Sequence, residues 1–320
     1  MLTTCSHRFI TITALSIAAA CTLGLSGCTK NKLPPIRADL PLSSGSQLSP
    51  DESRRMENLP TAEVLHRAKV ALASGDYRLA GVYFSTVLNK EPKSMPAHLG
   101  LGQAALAAGD YGSARTLIDA VLSVEPDSVP ALTARGRILS ASGQLDGAIA
   151  DFSRALVKES DNSAVLTELA MTYDRIPEKV VEAELLYRKV LELSADSASA
   201  RNNLGFNYLL QGRVEEAVTI LSGALALDTK NPRILSNLAT AYLLKGDQAK
   251  ALQLFRQTVG EAEAYNNIGY LYMTQTRWND AEKAFRMALE LSPRYYVRAG
   301  ANLERLQELR VASREKQPAH

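Results

Sequence analysis

The sequence predicts an all-α protein built from about seven helical hairpins. Seven alanines recur at intervals of 34, 34, 35, 34, 34 and 30 residues: Ala80, Ala114, Ala148, Ala183, Ala217, Ala251 and Ala281. A second series of small residues runs about twelve positions ahead of the first: Ala68, Gly102, Gly136, Ala170, Gly205, Ala239 and Gly269. Small side chains at one point per repeat let two helices of a hairpin approach closely.

A period of 34 residues is typical of the tetratricopeptide repeat, in which each unit is one helix-turn-helix hairpin. Such hairpins stack into a solenoid, here expected to be a right-handed superhelix in which each unit packs on its neighbours. We predict seven units within residues 60–295, at residues 61–94, 95–128, 129–162, 163–197, 198–231, 232–261 and 262–295. A capping helix at residues 296–310 should cover the last apolar face, and residues 311–320 should form a frayed tail.

Two places depart from the regular pattern. Most units have a glycine where the first helix ends, but in unit 4 the stretch Asp174-Arg175-Ile176-Pro177-Glu178 replaces the glycine turn. Pro177 should end the helix there, because proline lacks the N–H that a continuing helix needs. Between units 6 and 7 four residues are missing. The second helix of unit 6 should therefore lose about one turn, or its loop should tighten.

The first 27 residues have the composition of a secretory signal peptide, with an apolar run from Phe9 to Leu25. The run ends in Leu25-Ser26-Gly27-Cys28, which resembles the lipobox of bacterial lipoproteins. We therefore expect Cys28 to carry diacylglycerol and an N-acyl chain. An ordinary signal or membrane anchor with an incidental cysteine is the alternative, and Ala18-Ala19-Ala20-Cys21 is a weaker competing site.

The residue after Cys28 bears on the membrane to which the chain is sorted. By analogy with bacterial lipoprotein sorting, Thr29 in place of aspartate indicates the outer membrane, with the repeats in the periplasm. Residues 28–59 should be a flexible tether, because this stretch is rich in proline and serine and has no helical or strand period.

The net charge and the motif content of the chain argue against nucleic-acid binding and against catalysis. Lys and Arg number 36 against 34 acidic residues, and this net charge of +2 argues against nucleic acid as a partner. No metal-ligand, nucleophile-elbow or phosphate-loop motif occurs. We therefore expect no enzyme activity, no catalytic or metal site, no small-molecule substrate and no cofactor apart from the lipid on Cys28.

Candidate binding residues lie on the first helices of units 5 to 7. Each unit has an asparagine two residues before its small residue: Asn203, Asn237 and Asn267. A row of such amides could clamp the backbone of an extended peptide. The alternative is that asparagine is common at this repeat position without any ligand. Other candidate contacts on the same helices are Asn202, Phe206, Arg233, Asn266 and Tyr270.

The signal peptide and the short junction at Gly260-Glu261-Ala262 together give the chain a resemblance to the TadD family, tetratricopeptide lipoproteins of bacterial tight-adherence (Flp) pilus systems. The stretch Arg201-Asn202-Asn203-Leu204-Gly205 and the helix around Asn237 add to it, and the resemblance covers roughly residues 198–306. It implies a factor that helps the pilus machine assemble, pilotin-like toward its secretin or toward other assembly components. Pro177 departs from the pattern. A type IV pilus pilotin, or a periplasmic scaffold that docks cell-wall hydrolases, is the alternative.

Overall fold

A computed structural model describes Met56, residues 58–292 and residues 296–315. The signal peptide, Cys28 and most of the predicted tether lie outside the described residues. The part described is all-helical, with fifteen α-helices, one short 3-10 helix and no strand. The chain divides into two compact bodies at Thr172/Tyr173, which we call the N-terminal body and the C-terminal body.

The N-terminal body contains three helical hairpins followed by a single helix that ends at the body's boundary. The helices are α1 (Thr61–Ala73), α2 (Tyr77–Lys90), α3 (Met95–Ala107), α4 (Tyr111–Val124), α5 (Val129–Ala141), α6 (Leu145–Lys158) and α7 (Ser163–Tyr173). Odd-numbered helices are the first helices of units 1 to 4. Within this body α2 packs on α3 and α4 packs on α5, so units 1 to 3 stack in chain order.

The C-terminal body begins with the rest of unit 4 and continues through units 5 to 7. Its helices are the 3-10 turn Pro177–Lys179, α8 (Val180–Leu193), α9 (Ala198–Leu210), α10 (Val214–Leu227), α11 (Pro232–Lys245), α12 (Gln248–Thr258), α13 (Glu261–Thr274), α14 (Trp278–Leu291) and α15 (Tyr296–Glu315). Here α9, α11 and α13 are first helices, and α10, α12 and α14 are their partners. The last helix, α15, packs on α14 and α13 as a cap.

Both series of small residues lie inside the hairpins. All seven alanines of the first series have no exposed surface. Glycines of the second series face large side chains of the paired helix: a Cβ atom at Gly205 would lie 2.4 Å from Leu221 Cγ, and one at Gly136 would lie 2.5 Å from Phe152 Cε1. Such distances are too short for any side chain, so glycine lets the two helices approach this closely.

The turns between paired helices have the predicted sequence pattern, in which glycine ends the first helix. Gly75, Gly109, Gly143, Gly212 and Gly246 have φ angles of 81°, 82°, 77°, 72° and 93°, in the left-handed region that glycine adopts without strain. Aspartate follows three of these glycines and starts the second helix. In each case its carboxylate accepts a hydrogen bond from a backbone N–H of the first helical turn.

The two irregular places differ from the other units as expected. In unit 4, α7 ends at Tyr173 and Pro177 opens the 3-10 turn that leads into α8. In unit 6, α12 has 11 residues where α10 and α14 have 14, and only Val259 and Gly260 separate it from α13. The missing turn of helix and the tight loop therefore both occur. The capping helix α15 reaches Glu315, the last residue that the structure describes and five residues beyond the predicted end.

Candidate functional site

Half-buried polar and aromatic residues occupy matching positions on two first helices of the C-terminal body. They are Asn203 and Phe206 on α9, and Asn267 and Tyr270 on α13. We call these four residues the first-helix face. Each pair is three residues apart, so its members lie on the same side of their helix. All four side chains are partly exposed, and Asn203 Oδ1 accepts a long hydrogen bond of 3.4 Å from Asn202 Nδ2.

The equivalent residues on α11 are buried. Asn237 is only 7% exposed, and Thr240 is 3% exposed with its hydroxyl bonded to the carbonyl of Ser236 at 2.9 Å. The predicted row of three equivalent asparagines therefore has two half-buried members, on α9 and α13, and one buried member between them in sequence.

The buried asparagines join consecutive first helices. Asn237 Nδ2 donates to Asn202 Oδ1 at 2.9 Å, which ties α11 to α9. Asn302 Nδ2 donates to Asn266 Oδ1 at 2.9 Å, which ties α15 to α13. Asn202 and Asn266 are each 7% exposed. These amides serve packing between units, so the peptide-clamp hypothesis depends on Asn203 and Asn267.

The candidate residues of the sequence analysis do not include Asn302. A signal for it exists, since Asn302 follows Asn266 by 36 residues and Asn237 follows Asn202 by 35, about one repeat in each case. Arg233, at the start of α11, is exposed and forms no ion pair within the described residues. Its backbone N–H donates to the capping side chain of Asn231 at 3.0 Å.

A buried polar cluster attaches α9 to α8. Glu184 is 8% exposed and accepts hydrogen bonds from Arg188, Arg213 and Gln211 at 2.9, 2.6 and 3.0 Å. The guanidinium of Arg213 also lies over the ring of Tyr208, 4.3 Å from its centre. Burial alone would raise the pKa of Glu184, but the bonds from Gln211 and Arg188 and the charge of Arg213 outweigh it and lower this pKa.

Asp174 is the second buried carboxylate of this cluster. It is 8% exposed and accepts hydrogen bonds from Asn207 Nδ2 at 2.6 Å and from the hydroxyl of Tyr187 at 2.8 Å. Burial raises its pKa to about 6, and the two hydrogen bonds offset only part of that effect. Asn207 also donates to the carbonyl of Val180 at 2.8 Å. The cluster thus fixes the helix that carries Asn203 and Phe206.

The turn that follows α13 contains a polar atom without a hydrogen-bond partner and a strained residue. Arg277 stacks on the ring of Tyr272 at 4.1 Å, as Arg213 does on Tyr208. However, the side-chain Nε2 of Gln275 is buried and is the one such atom without a hydrogen-bond partner in the described chain. Thr276 stands where five other units have glycine, and its φ is 58°. A β-branched residue is strained in that conformation.

The described residues provide neither a metal-ligand cluster nor a membrane-spanning helix. They contain no group of three or more His, Cys, Asp or Glu side chains placed to hold a metal ion. Nor does any helix among them combine the length and the hydropathy needed to cross a bilayer.

Three family models for the tetratricopeptide repeat match the chain, at residues 71–138, 196–260 and 262–295. Together these matches span more than half of its length. The chain belongs to the tetratricopeptide repeat superfamily. Tetratricopeptide repeats indicate a role in protein–protein interaction. The unmatched stretch between the first two matches contains the irregular turn of unit 4.

Solved tetratricopeptide repeat structures have the same fold. One from Parabacteroides merdae is 18% identical over 77% of this chain and 98% of that chain, with a TM-score of 0.56. The protein TTC0263 of Thermus thermophilus is 20% identical over 57% of this chain and 100% of that chain, with a TM-score of 0.51. No curated protein shows significant similarity to the chain.

Proposed function

We propose that this protein is a non-enzymatic adaptor that holds an extended segment of a partner protein on its first-helix face. The observation that carries the proposal is the matched pair of half-buried side chains on α9 and α13, Asn203 with Phe206 and Asn267 with Tyr270. An amide offers both a donor and an acceptor, so it can bond to peptide backbone of any sequence. The aromatic rings supply apolar contact area beside it.

We further propose that the adaptor is anchored to the outer membrane by lipid on Cys28, with its repeats in the periplasm. Two features of the sequence support this placement: the lipobox-like stretch Leu25-Ser26-Gly27-Cys28, and threonine instead of aspartate at position 29. Acyl chains contribute about 0.8 kcal/mol per buried methylene, so three chains make a durable anchor. The tether before Thr61 would let the repeats bind partners at a distance from the bilayer.

Within that setting, we propose that the protein helps a tight-adherence pilus machine to assemble. The support is the resemblance to TadD-family lipoproteins, together with the shortened junction at Val259 and Gly260 that accompanies it. The partner would then be the secretin of the outer membrane or another pilus-assembly component, and the protein would act as a pilotin-like factor.

The first-helix face is tested by substituting its members in pairs. Asn203→Ala with Asn267→Ala, and Phe206→Ala with Tyr270→Ala, should each reduce partner binding at least tenfold with helicity unchanged. Asn237→Ala is the matched control, because Asn237 is an asparagine of the same repeat position whose amide is buried against Asn202. It should lower stability but leave the affinity of the folded protein unchanged. Unchanged binding by both double variants would refute the proposed face.

The pilus role is tested separately, by deleting the gene and fractionating membranes for secretin multimers and surface pili. We expect both to be lost, and a Cys28→Ser variant should fail to restore them. Normal multimers and pili in the deletion strain would contradict the role. Genes for a secretin, a prepilin peptidase and a secretion ATPase beside this one would support it, whereas neighbouring cell-wall enzymes would favour a scaffold for hydrolases.

A further inference from the structure

The irregular turn of unit 4, at residues 174–179, has a single buried residue, Asp174. The backbone hydrogen bonds of this turn are local. Ile176 N–H donates to the carbonyl of Tyr173 at 2.9 Å, and Lys179 N–H donates to the carbonyl of Ile176 at 2.8 Å. Asp174 is therefore the one residue of the turn whose side chain lies in the interior of the C-terminal body.

A carboxylate at this position is peculiar to unit 4 within the C-terminal body. The corresponding residues of units 5, 6 and 7, four positions after the small residue, are Leu209, Leu243 and Met273. They are 0%, 1% and 5% exposed. Unit 4 thus places an ionisable group where its neighbours place a buried apolar side chain. Burial of a charge is unfavourable unless its partners compensate for the loss of water.

The two partners of the Asp174 carboxylate are both neutral. Oδ1 accepts a hydrogen bond from Asn207 on α9, and Oδ2 lies 2.8 Å from the hydroxyl oxygen of Tyr187 on α8. A hydroxyl can accept as well as donate, so a protonated Asp174 can donate its proton to the Tyr187 oxygen. The protonated carboxyl therefore keeps both contacts without a buried charge.

Charged side chains on the surrounding elements have contacts of their own. Lys179 lies over the ring of Tyr173, 5.0 Å from its centre. Arg188 donates to Glu184, and Arg201 donates to the carbonyl of Ala195. The charged residues of these elements are Arg175, Glu178 and Lys179 on the turn, Glu168 on α7, Glu182, Glu184, Arg188, Lys189 and Glu192 on α8, and Arg201 on α9.

Asp174 differs from the other buried carboxylate of the cluster in its response to pH. Burial raises the pKa of Asp174 to about 6, although the hydrogen bonds from Asn207 and Tyr187 act in the other direction. For Glu184 the effect of burial is outweighed and the pKa is lowered, so that carboxylate stays ionised. The described part of the C-terminal body contains no histidine, the residue that ordinarily titrates in this range.

We propose that Asp174 is a proton-controlled latch for the turn at residues 174–179. With its proton, the carboxyl holds the turn closed on α8 and α9. Without the proton, the turn opens and the carboxylate is hydrated. Asn207 directly follows Phe206 in the chain, so the latch acts on the helix that carries half of the first-helix face. Opening of the turn is measured without a partner, and its outcome is independent of the adaptor function.

Opening of the turn is linked to release of the proton. The closed state has a pKa of about 6 at Asp174, whereas the open turn has the ordinary value of 3.8. The proton therefore favours the closed turn fully below pH 3.8, and this preference is lost as the pH rises to 6. Between pH 3.5 and 7.5 the equilibrium constant for opening should rise about 100-fold.

Hydrogen exchange of the full chain tests the latch, with each amide rate divided by the rate of an unprotected peptide at the same pH. We expect the protection of the Ile176 and Lys179 amides to fall about 100-fold between pH 3.5 and 7.5. Low concentrations of urea should leave their protection unchanged, because local opening exposes little surface. The amide of Phe285, inside α14, is the control and should exchange through unfolding that depends steeply on urea.

Substitutions identify the group that titrates. In Asp174→Asn the protection of Ile176 and Lys179 should not depend on pH. Asp174→Leu, which has the residue type of units 5 and 6, carries the same expectation if the asparagine variant does not fold. Glu184→Gln should retain the pH dependence of wild type. Three results would overturn the latch: constant protection in wild type, the wild-type pH dependence in Asp174→Asn, or equal urea dependence of the turn amides and Phe285.

Discussion

The turns of units 5 and 7 contain a tyrosine, a glutamine and an arginine at matching positions. Only in unit 5 do the polar side-chain groups of all three residues have a partner. In unit 5, Gln211 donates to Glu184 and to Asn207 Oδ1, at 3.0 and 2.7 Å. Arg213 bonds Glu184 and stacks on Tyr208. The turn residue itself is a glycine.

In unit 7 the corresponding set of side-chain contacts is incomplete. Arg277 still stacks on Tyr272 and pairs with Asp280 at 2.7 Å. Leu271, however, stands where unit 5 has an asparagine, and the side-chain Nε2 of Gln275 has no hydrogen-bond partner. Thr276 takes up the left-handed conformation that glycine adopts in the other turns. Unit 7 therefore keeps the geometry of the turn while bearing strain and an unsatisfied amide.

The repeat backbone therefore tolerates a turn with a strained residue and an unsatisfied polar atom when the neighbouring helices hold that turn in place. A buried amide without a partner costs about 1–3 kcal/mol, and a left-handed L-residue costs about 1–2 kcal/mol. Apolar packing around Ile268 and Phe285, both without exposed surface, offsets these costs in unit 7.

Asn207→Leu gives unit 5 the residue type that unit 7 has at this position. It removes the donor to Asp174 and the acceptor of Gln211 in a fully buried place. We expect a loss of about 3–4 kcal/mol in the free energy of unfolding, measured by urea titration. Asn89→Leu, at an exposed position on α2, should change stability by less than about 0.5 kcal/mol. Similar values for the two variants would show that the unit 5 cluster contributes little.

Asp174→Asn should change how stability depends on pH. The pKa of Asp174 is about 6 in the folded protein and its ordinary value is 3.8, so the folded state binds the proton more tightly. The stability that this proton contributes is fully present below pH 3.8 and is lost as pH rises to 6. Relative to wild type, the variant should therefore gain about 3 kcal/mol between pH 4 and 7.5.

The measurement for Asp174 is urea unfolding at half-unit steps of pH. Tyr187→Phe serves as the companion variant, because it removes one of the two hydrogen bonds that lower the pKa. It should move the pH-dependent range upward. Parallel pH profiles for wild type and Asp174→Asn would contradict this assignment.

Substitution of the two glutamines should have opposite effects. Gln275→Leu removes a buried Nε2 that has no hydrogen-bond partner and should raise the free energy of unfolding by about 1 kcal/mol. Gln211→Leu removes three hydrogen bonds, two that Gln211 donates and one that it accepts from Arg213, and should lower it by about 2 kcal/mol. The two changes are chemically identical and are compared in the same urea series. Equal effects would mean that the two amides have equivalent surroundings.

Exchange of the turn residues is expected to give the smallest effects. Thr276→Gly should stabilise the protein by about 0.5–1 kcal/mol, because relief of strain exceeds the added freedom of the unfolded chain. Gly212→Thr should destabilise it by about 1 kcal/mol. Thermal unfolding would resolve both shifts. A stabilising Gly212→Thr would contradict the strain assigned to Thr276.

Much of the fold could be predicted from the sequence, because it depends on local rules that repeat. The alanine at Ala183, the turn glycine at Gly109 and the helix break at Pro177 each act through residues nearby in the chain. Even the short junction could be anticipated, since counting residues shows that α12 lacks one turn. The predicted end of α15 at residue 310 is too early, since the first helix-stopping residue after Leu309 is Pro318 and the helix reaches Glu315.

The candidate site was harder to predict because burial depends on residues one repeat away. Asn203 and Asn237 look equivalent in sequence, yet the amide of Asn237 bonds Asn202 on a helix 35 residues earlier. Repeat position alone does not say which amide has such a partner. The bond between Asn302 and Asn266 shows the same limit, since it needs the register of α15 on α13.

The most direct test of the proposed adaptor is photocrosslinking in living cells, with p-benzoylphenylalanine in place of Phe206 or Tyr270. Leu185 is the matched control, because it is a large apolar residue, 63% exposed, on the second helix α8. We predict that both face positions crosslink to one partner, identified by mass spectrometry as the secretin or another pilus-assembly component, and that Leu185 does not. Crosslinking to that partner from Leu185, with none from Phe206 or Tyr270, would contradict binding at the first-helix face.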